Sequence, residues 1–450
     1  MTELLTAVRD RAVAAAHPRR YGRVARMVGM SIEVVGMGLA IGDGCLLLRD
    51  GDPVLAEVVA LSGDRVTCLP YGDTTGLSVG ALVEDARGPL PVRVGEELLG
   101  RVLDGLGRPI DDGPSLVGLE EVSIDGTPPH PLRRGLVVDQ LELGVRVLDG
   151  LIPCGRGQRL GIFAGSGVGK SSLMSMITRG TAADVSVIAL VGERGREVAE
   201  FVGRVLGEEG RRRSVVVVAT SDAPALVRIR AAFLATRIAE WFRDQDRHVL
   251  LLMDSLTRFA MAQREVGLSA GEPPATRGYP PSVFGLLPRL LERAGMAERG
   301  SITGLYTVLV EGDDMNEPIA DTARSILDGH VQLSRQLAEA NHYPAVDVLG
   351  SISRLAPAIT DSSLLAAAGD VRRLLAAWRD ARDLIEIDAY VPGTNPVVDR
   401  AIALKPSIDA YTRQAMMELS PLAATREGLL GLVTSASPRD SASMSSGAAA

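Results

Sequence analysis

The clearest chemical signal in the sequence is the octapeptide AGSGVGKS at residues 164–171. It follows an apolar run, RLGIFA, that predicts a strand, and it precedes SSLMSMITRG, which predicts a helix. Closely spaced glycines let successive backbone N–H groups turn toward a bound phosphate. In such a loop the lysine reaches the outer phosphates of a nucleoside triphosphate, and the serine hydroxyl binds Mg²⁺. The predicted nucleotide-binding residues of the loop are Gly165, Ser166, Gly167, Val168, Gly169, Lys170, Ser171 and Ser172.

The lysine of this loop stands out in the composition. The chain has 48 Lys and Arg residues, of which only Lys170 and Lys405 are lysine. A compact ammonium on a flexible stem differs from the planar guanidinium fork of arginine. We therefore expect Lys170 to occupy a position where arginine cannot replace it.

Two carboxylates at the ends of other apolar runs extend the predicted site. Asp254 ends HVLLLMD (248–254), where it can hold Mg²⁺ beside the phosphate loop. Glu193, in GERGRE (192–197), can orient or deprotonate the attacking water. Glu197 falls where the next helix begins, and the helix dipole already favours a carboxylate there. The predicted catalytic residues are Lys170 and Glu193, the predicted Mg²⁺ ligands are Ser171 and Asp254, and the secondary candidates are Arg194 and Glu197.

The elements that carry these residues predict an α/β domain. The middle third of the chain alternates helical patterns with the apolar runs RLGIFA, VSVIALV, SVVVVAT, HVLLLM and ITGLYTVLV. Such alternation is typical of a mainly parallel sheet covered by helices on both faces. Open α/β sheets bind ligands at the carboxyl ends of their strands, and the three predicted site elements all follow strands.

Two further domains are predicted around this sheet. Short β-rich pieces between glycine-rich turns predict a small β-barrel or sandwich at the N-terminal side, and the pattern after Leu355 is mostly helical. The segment 93–158 is rich in Gly, Pro and Asp and is interpreted as a connection. The predicted boundaries are a helical leader at 1–20, a β-barrel at 21–92, a nucleotide-binding domain at 93–355, a helical domain at 356–433 and a disordered tail at 434–450.

Composition excludes several other classes of protein. The 450 residues are 46% hydrophobic and 23% charged, as in ordinary soluble proteins. A net charge of −8 argues against nucleic acid as a partner. No apolar run approaches the ~18 residues that cross a bilayer, and the N-terminus lacks a signal peptide, so we predict a cytoplasmic protein. The three cysteines and five histidines are scattered and predict neither disulfides nor a separate metal site.

Longer strings around the site residues resemble a known family. GIFAGSGVGKSSLM, IALVGERGREVAEFV, HVLLLMDSLTRFAMAQREVGLSAGEPPATRGYPPSVF and HYPAVDVLGSISRLAP are similar to the rotary ATP synthase catalytic-subunit superfamily. Within it they most resemble the ATPase of the flagellar (type III) protein export apparatus. The similarity extends from roughly residue 20 to residue 430. It implies a P-loop domain of RecA-like fold that hydrolyses ATP with Mg²⁺ in a homohexameric ring.

The resemblance also implies roles for individual residues. Glu193 matches the catalytic glutamate of the family and Asp254 its Mg²⁺-associated aspartate. Tyr343 matches the aromatic residue that lines the adenine. Arg354 matches the arginine finger, which reaches into the site of the neighbouring subunit, and is therefore a third predicted catalytic residue.

Partners and location follow from the same resemblance. The expected partners are other copies of this chain, the export-apparatus regulator and stalk proteins, the export gate at the membrane, and flagellar export substrates with their chaperones. The segment 272–281 matches a loop that faces the central channel in relatives. The expected location is the cytoplasm, peripheral to the inner face of the cell membrane.

Three alternative functions remain at this point. An injectisome-type secretion ATPase has nearly identical motifs. A catalytic subunit of a proton-driven ATP synthase would carry an additional acidic motif in the C-terminal helices, which is not found. An RNA-translocating hexamer would need aromatic stacking surfaces in the barrel, yet residues 21–92 hold only Tyr21 and Tyr71.

Overall fold

The computed structural model describes residues 19–310, 312 and 314–434. The predicted leader helix and nearly all of the predicted disordered tail lie outside these residues. In the described part of the chain, no helix is long and apolar enough to cross a membrane.

The first described unit is a closed barrel of six strands in the order β1-β2-β5-β4-β3-β6. Alternation at a period of two residues turns one face of each strand inward, so that Ile32 and Val34 of β2 are buried while Ser31 and Glu33 are not. Gly29, with φ of 58°, makes the tight turn between the first two strands. The strands are β1 (Tyr21–Val28), β2 (Ser31–Val35), β3 (Asp43–Leu47), β4 (Val54–Ser62), β5 (Arg65–Pro70) and β6 (Leu82–Pro89).

A nine-stranded sheet forms the centre of the molecule, with the main order β19-β18-β12-β17-β15-β13-β14-β8 and β16 paired to β17. The pairs that join β12, β17, β15, β13 and β14 are parallel, whereas β19 runs antiparallel to β18. Its strands are β8 (Val102–Asp104), β12 (Arg159–Ala164), β13 (Val185–Glu193), β14 (Ser214–Thr220), β15 (His248–Asp254), β16 (Gly295–Met296), β17 (Ser301–Leu309), β18 (Gly329–Leu333) and β19 (Val346–Ser353).

Helices cover both faces of this sheet, because its central strands are apolar on both sides. In β13 every residue from Val185 to Gly192 is buried. The helices of this region are α1 (Arg146–Leu151), α2 (Lys170–Gly180), α3 (Gly195–Glu200), α4 (Gly207–Arg212), α5 (Ala225–Asp244), α6 (Leu256–Ser269), α7 (Pro281–Leu291), α8 (Pro318–Ile326) and α9 (Arg335–Glu339).

The last described region is helical. Leu364, Ala367, Val371 and Leu374 recur at helical spacing along one face of α11 and join a core shared with the sheet. The helices are α10 (Ala356–Ile359), α11 (Ser362–Glu386), α12 (Pro396–Thr412) and α13 (Leu422–Thr434). The predicted fold class, a β-barrel followed by a parallel-sheet domain and a helical region, is confirmed.

The segment 93–158 is more structured than a connection. It contributes β8 to the edge of the central sheet, and it contains α1 and two small sheets. Those sheets pair β7 (Val92–Val94) with β9 (Glu120–Val122), and β10 (Gln140–Leu141) with β11 (Cys154–Gly155).

Candidate active site

The phosphate loop connects β12 to α2. Gly167 and Gly169 adopt φ angles of 79° and 94°, which L side chains rarely adopt, so glycine is needed at both positions. Val168 between them is buried and anchors the loop to the core. The backbone thus enters α2 at Lys170 with its N-terminal N–H groups free to face an anion.

Lys170 makes contact with both predicted carboxylates. Its Nζ lies 2.5 Å from Oδ1 of Asp254 and 3.3 Å from Oε1 of Glu193. Burial disfavours the charged ammonium, but the two carboxylates outweigh that effect and raise the pKa of Lys170. The structure therefore brings together three predicted residues, although the first and the last of them, Lys170 and Asp254, are 84 positions apart in the sequence.

Asp254 is held at the end of β15 by a second partner. The hydroxyl of Thr307, on the adjacent strand β17, donates to the same Oδ1 at 2.6 Å. The Asp254 side chain is only 4% exposed, so each hydrogen bond fixes its orientation strongly. Thr307 was not predicted from the sequence, because its position opposite Asp254 depends on strand pairing and leaves no local signal.

Glu193 ends β13 and faces the same space. Burial and the nearby Asp254 raise the pKa of Glu193 to about 7, although Lys170 acts in the opposite direction. Glu197, in the first turn of α3, shares a hydrogen bond with Glu193 and accepts another from Nη1 of Arg194 at 2.8 Å. The hydrogen bond between Glu193 and Glu197 outweighs the effect of burial on Glu197. Together with Arg194, this bond lowers the pKa of Glu197.

A cavity of about 190 Å³ opens beside these groups. The polar lining residues are Ser171, Ser172, Glu193, Glu197, Glu200 and Asp254. Apolar residues of β13, α2, α3 and the turn that follows, with Met416 after α12, complete the lining. Ser171 and Asp254 offer the oxygen donors that Mg²⁺ prefers, and Mg²⁺ in such sites takes further ligands from substrate phosphates and water. The residues present therefore fit a nucleotide-bound Mg²⁺.

Tyr343 lies beside the phosphate loop. A methyl group placed on Gly169 would be 3.3 Å from Cε1 of the Tyr343 ring. Tyr343 is 40% exposed, so part of its side chain is accessible. The backbone N–H of Gln414, after α12, donates to the Tyr343 carbonyl at 2.9 Å and fixes this segment against the helical region.

Arg354 lies at the opposite edge of the sheet from the other predicted residues. It follows β19, whose last residue, Ser353, pairs with the first residue of β18. The Arg354 N–H donates to the carbonyl of Asp328, whose own N–H donates to the carbonyl of Arg159 at the start of β12. The phosphate loop follows the other end of β12, about 16 Å away along the strand. Arg354 is exposed there.

Arg258 is a further residue that was not predicted from the sequence. A methyl group on Gly192 would lie 2.8 Å from the Arg258 Cβ, so this arginine packs beside the chain that leads to Glu193. Ser255 caps α6 by accepting from the Arg258 N–H at 3.3 Å, which fixes where the arginine leaves the helix. The motif DSLTR, which places a capping serine and an arginine directly after Asp254, was a signal that could have identified it.

Three family models match the chain in an order that fits the observed architecture. Residues 25–87 match the beta-barrel domain of the ATP synthase alpha/beta family, and residues 144–353 match its nucleotide-binding domain. Residues 360–430 match the C-terminal domain of the type III secretion ATPase EscN.

Curated relatives and solved structures agree with these matches. The chain is 51% identical to the flagellum-specific ATP synthase of Bacillus subtilis, over 89% of this chain and 92% of the relative. It is 49% identical to a type 3 secretion system ATPase of Xanthomonas euvesicatoria, over 96% of this chain and 98% of the relative. The assembled ATPase EscN of enteropathogenic E. coli is 46% identical, covers 92% of this chain and 100% of its own, and superposes with a TM-score of 0.88.

These matches confirm the resemblance predicted from GERGRE and the phosphate loop. The enzyme class is that of a P-loop ATPase, carried by a nucleotide-binding domain of the ATP synthase type. The chain belongs to the ATP synthase alpha/beta family, in the branch that contains the flagellum-specific and type III secretion ATPases.

Proposed function

We propose that this chain hydrolyses ATP, as a homohexameric ring, to drive flagellar type III protein export. The observation that carries the ATPase assignment is the contact of Lys170 with Asp254 and Glu193 directly beside the phosphate loop. A lysine, a metal-binding carboxylate and a general base are the three side chains that phosphoryl transfer to water requires.

The proposed mechanism begins with the binding of the triphosphate. Backbone N–H groups of residues 165–172 bind the phosphates, and the Lys170 ammonium moves from the two carboxylates to the outer phosphates. Ser171 and Asp254 would hold Mg²⁺, which neutralises charge on the phosphate oxygens when bound. The release of Glu193 from Lys170 leaves its carboxylate free to accept a proton from water that attacks the terminal phosphate, while the bond from that phosphorus to the bridging oxygen breaks and ADP leaves.

Glu197, Arg194 and Tyr343 have supporting roles in this proposal. Glu197 and Arg194 hold the Glu193 carboxyl group in place through their hydrogen bonds. The accessible part of the Tyr343 side chain receives the adenine ring, since the tyrosine packs beside the loop that binds the phosphates.

Arg354 acts in the site of a neighbouring copy. Its place at the opposite edge of its own sheet supports this role, because the guanidinium cannot serve the phosphate loop of its own subunit. The structural neighbour EscN is an assembled ATPase, which supports a ring of identical subunits here. A ring in which one face of each copy meets the opposite face of the next closes by rotation.

Further partners are proposed from the similarity. A second structure of EscN contains its central stalk EscO. By analogy, we propose that a stalk protein contacts the ring of this chain through the loop 272–281. Arg277 of this loop forms an ion pair of 3.2 Å with Asp314. The regulator, the export gate, export substrates and their chaperones complete the proposed set, with the ring located in the cytoplasm against the inner face of the membrane.

The proposed domain boundaries stay at 21–92, 93–355 and 356–433. The last barrel strand ends at Pro89, close to the first boundary, although β7 (Val92–Val94) spans that boundary. The first helix beyond the sheet begins at Ala356, which supports the second boundary. The leader at 1–20 and the tail at 434–450 remain proposals from sequence.

Injectisome secretion is the second candidate function, because relatives from both systems are similar to this chain at almost equal identity. The gene neighbourhood discriminates between them, since flagellar rod and hook genes support the first proposal and needle and translocon genes support the second.

A secretion assay tests the export function directly. In cells lacking this gene, the wild-type chain should restore secretion of flagellar hook and filament proteins, whereas D254N should not. The matched control is D347N, a substitution of the same size on β19. Full secretion with D254N, or none with the wild-type chain, would overturn the proposal.

A further inference from the structure

A second cavity lies away from the nucleotide site. Its volume is about 570 Å³, and it lies between α9 and β19 on one side and α11 and α12 on the other. A volume of this size is typical of sites for small organic ligands, which need roughly 300–1,000 Å³. None of its lining residues also lines the cavity beside Glu193.

The inner wall of this cavity is apolar. Val346 and Val348 of β19 and Ile408 of α12 are buried there, and the half-buried Trp378 of α11 presents an aromatic ring. Lys405 Nζ lies 4.5 Å from the centre of that ring and ion-pairs with Asp409 at 2.6 Å. A flat apolar molecule would replace water on this wall, which is favourable.

Guanidinium groups at the mouth of the cavity are available to bind an anion. Arg379 and Arg382 are exposed on α11, and each forms a surface ion pair with a carboxylate of its own helix, at Asp380 and Glu386. The Arg382 guanidinium also lies 5.9 Å from the centre of the Trp378 ring. Solvent-exposed ion pairs of this kind contribute little to stability and exchange readily. For Arg413, at the end of α12, no ion pair is found with any residue in the described ranges.

The carboxylates of the cavity are less available than these cations. Asp409 already pairs with Lys405, and Oδ1 of Asp347 accepts from the backbone N–H groups of Leu349 and Gly350. The remaining carboxylate, Glu339, is exposed on α9. Apart from Glu339, the hydrogen-bonding capacity left at the mouth is that of donors, which suits an anionic group.

We propose that this cavity is a second ligand site, and that it takes an amphipathic organic anion. The ligand has a flat apolar body, which packs against Trp378 and Ile408, and one sulfonate, carboxylate or phosphate group, which binds Arg382 and Arg413. The proposal concerns a site separate from the one that hydrolyses ATP, and its binding test is independent of the proposed function.

The site is positioned to influence nucleotide binding. His342 lines the cavity and directly precedes Tyr343, which packs on the phosphate loop. On the other side Arg413 lines the cavity and directly precedes Gln414, whose N–H holds the Tyr343 carbonyl. A ligand that fixes these two segments changes the position of Tyr343 without entering the nucleotide site.

The chain contains two tryptophans, Trp241 and Trp378, which allow a direct binding experiment. The probe is 8-anilinonaphthalene-1-sulfonate, a fused aromatic ring with one sulfonate, and the signal is energy transfer from tryptophan to the bound probe. We expect W378F to reduce the transfer at least fivefold, whereas W241F leaves most of it. Equal transfer with W378F would place the probe elsewhere and overturn the proposal.

Substitution of exposed arginines provides a second test that leaves the hydrophobic core intact. The double variant R382A/R413A should raise the dissociation constant of the probe at least about tenfold. The control is R373A, which removes another exposed arginine of α11 that pairs with Asp370 and does not line the cavity. The affinity with R373A should stay within twofold of wild type. Unchanged affinity in the double variant would contradict a separate anion site.

Discussion

At the scale of single residues, the site is arranged around one lysine. Lys170 is held by two carboxylates before any nucleotide arrives, and both contacts are made by a single Nζ atom. A guanidinium is planar and larger, so it cannot occupy the same position between Asp254 and Glu193.

The first prediction therefore concerns the identity of this cation. K170A should abolish ATP hydrolysis, because the outer phosphates lose their pre-positioned lysine. K170R should also lose most of its turnover, although it keeps the charge. Phosphate release under saturating ATP and Mg²⁺ measures both, and K405R is the matched control on the other lysine. Near wild-type turnover of K170R would refute the argument from the scarcity of lysine.

The second prediction concerns which carboxylate is the base. E193Q should retain ATP binding while hydrolysis falls by roughly 10²-fold or more, the scale of losing a positioned base. E197Q should have a smaller effect, since Glu197 contacts Glu193 and the cavity beside it. Turnover and binding of a fluorescent ATP analogue separate the two roles. If E197Q loses hydrolysis and E193Q does not, the assignment is reversed.

The third prediction concerns the pKa of Glu193. Because it is raised to about 7, the carboxyl is mostly protonated below that pH and cannot accept a proton from water. The value of kcat/KM, which reports on the free enzyme, should therefore rise about tenfold per pH unit below pH 7 and level off above it. The residual activity of E193Q should lack this rise. A flat profile between pH 5.5 and 7 in the wild type would show that the ionisation of Glu193 does not limit the reaction.

At the scale of elements, local sequence predicted the strands and their loops well. Val185–Glu193 and His248–Asp254 are observed almost where the apolar runs placed them, since a buried parallel strand has to be apolar throughout. Local sequence could not predict which strands pair with one another. The contact from Thr307 to Asp254 depends on β17 lying next to β15, and the position of Arg354 depends on β19 running antiparallel to β18.

Helix α3 shows a second limit of local patterns. The stretch REVAEFVGRVLGEE predicts one helix, whereas the structure has α3, a π-helical turn at Phe201–Val205, and then α4. The Leu206 N–H donates to the Phe201 carbonyl, one residue further back than in an α-helix. Phe201, Val205 and Leu206 are thereby all buried against the sheet. Packing decides this turn, so an amphipathic period alone does not predict it.

The fourth prediction concerns the attachment of α5 to the segment that ends α7. Glu240 on α5 and Arg293 after α7 form a bidentate ion pair at 2.7 and 2.6 Å, and both side chains are at most 2% exposed. E240A leaves the guanidinium buried without its partner, which costs about 3–5 kcal/mol. We expect a large fall in the midpoint of urea unfolding, followed by circular dichroism.

The matched control for this substitution is E121A. Its partner Arg93 is 66% exposed and Glu121 is 55% exposed, so that pair contributes at most about 1 kcal/mol. Similar midpoints for the two variants would show that the buried pair does not join α5 to the segment after α7.

At the scale of the whole molecule, the two edges of the central sheet carry different predicted site residues. The carboxyl edge of β12, β15 and β13 carries the phosphate loop, Asp254 and Glu193, while Arg354 leaves the sheet at its other edge. In the proposed ring, a single copy carries one active site and, on a different surface, the arginine for another. Under this proposal catalysis depends on assembly, because each site is incomplete without the next copy in the ring.

The fifth prediction follows from that dependence. An arginine finger supplied by a partner contributes ~10³-fold or more in turnover, so R354A should be nearly inactive while it still binds ATP. The specific activity of the wild type should rise with protein concentration, because dilution separates the copies. Neither effect is expected for R324A, which removes a half-buried arginine on α8 whose carbonyl accepts from Arg354 at 3.4 Å.

A mixing experiment distinguishes action in a neighbouring site from action in the same subunit. Subunits with K170A are inactive but retain Arg354, and subunits with R354A are inactive but retain a complete phosphate loop. In mixed rings, an R354A site that faces a K170A neighbour receives the arginine it lacks. Activity should therefore reappear on mixing, and it should be greatest near equal amounts, where such neighbours are most frequent. If verified mixed rings stay inactive, Arg354 acts within its own subunit or only packs there, and the argument from the two edges of the sheet fails.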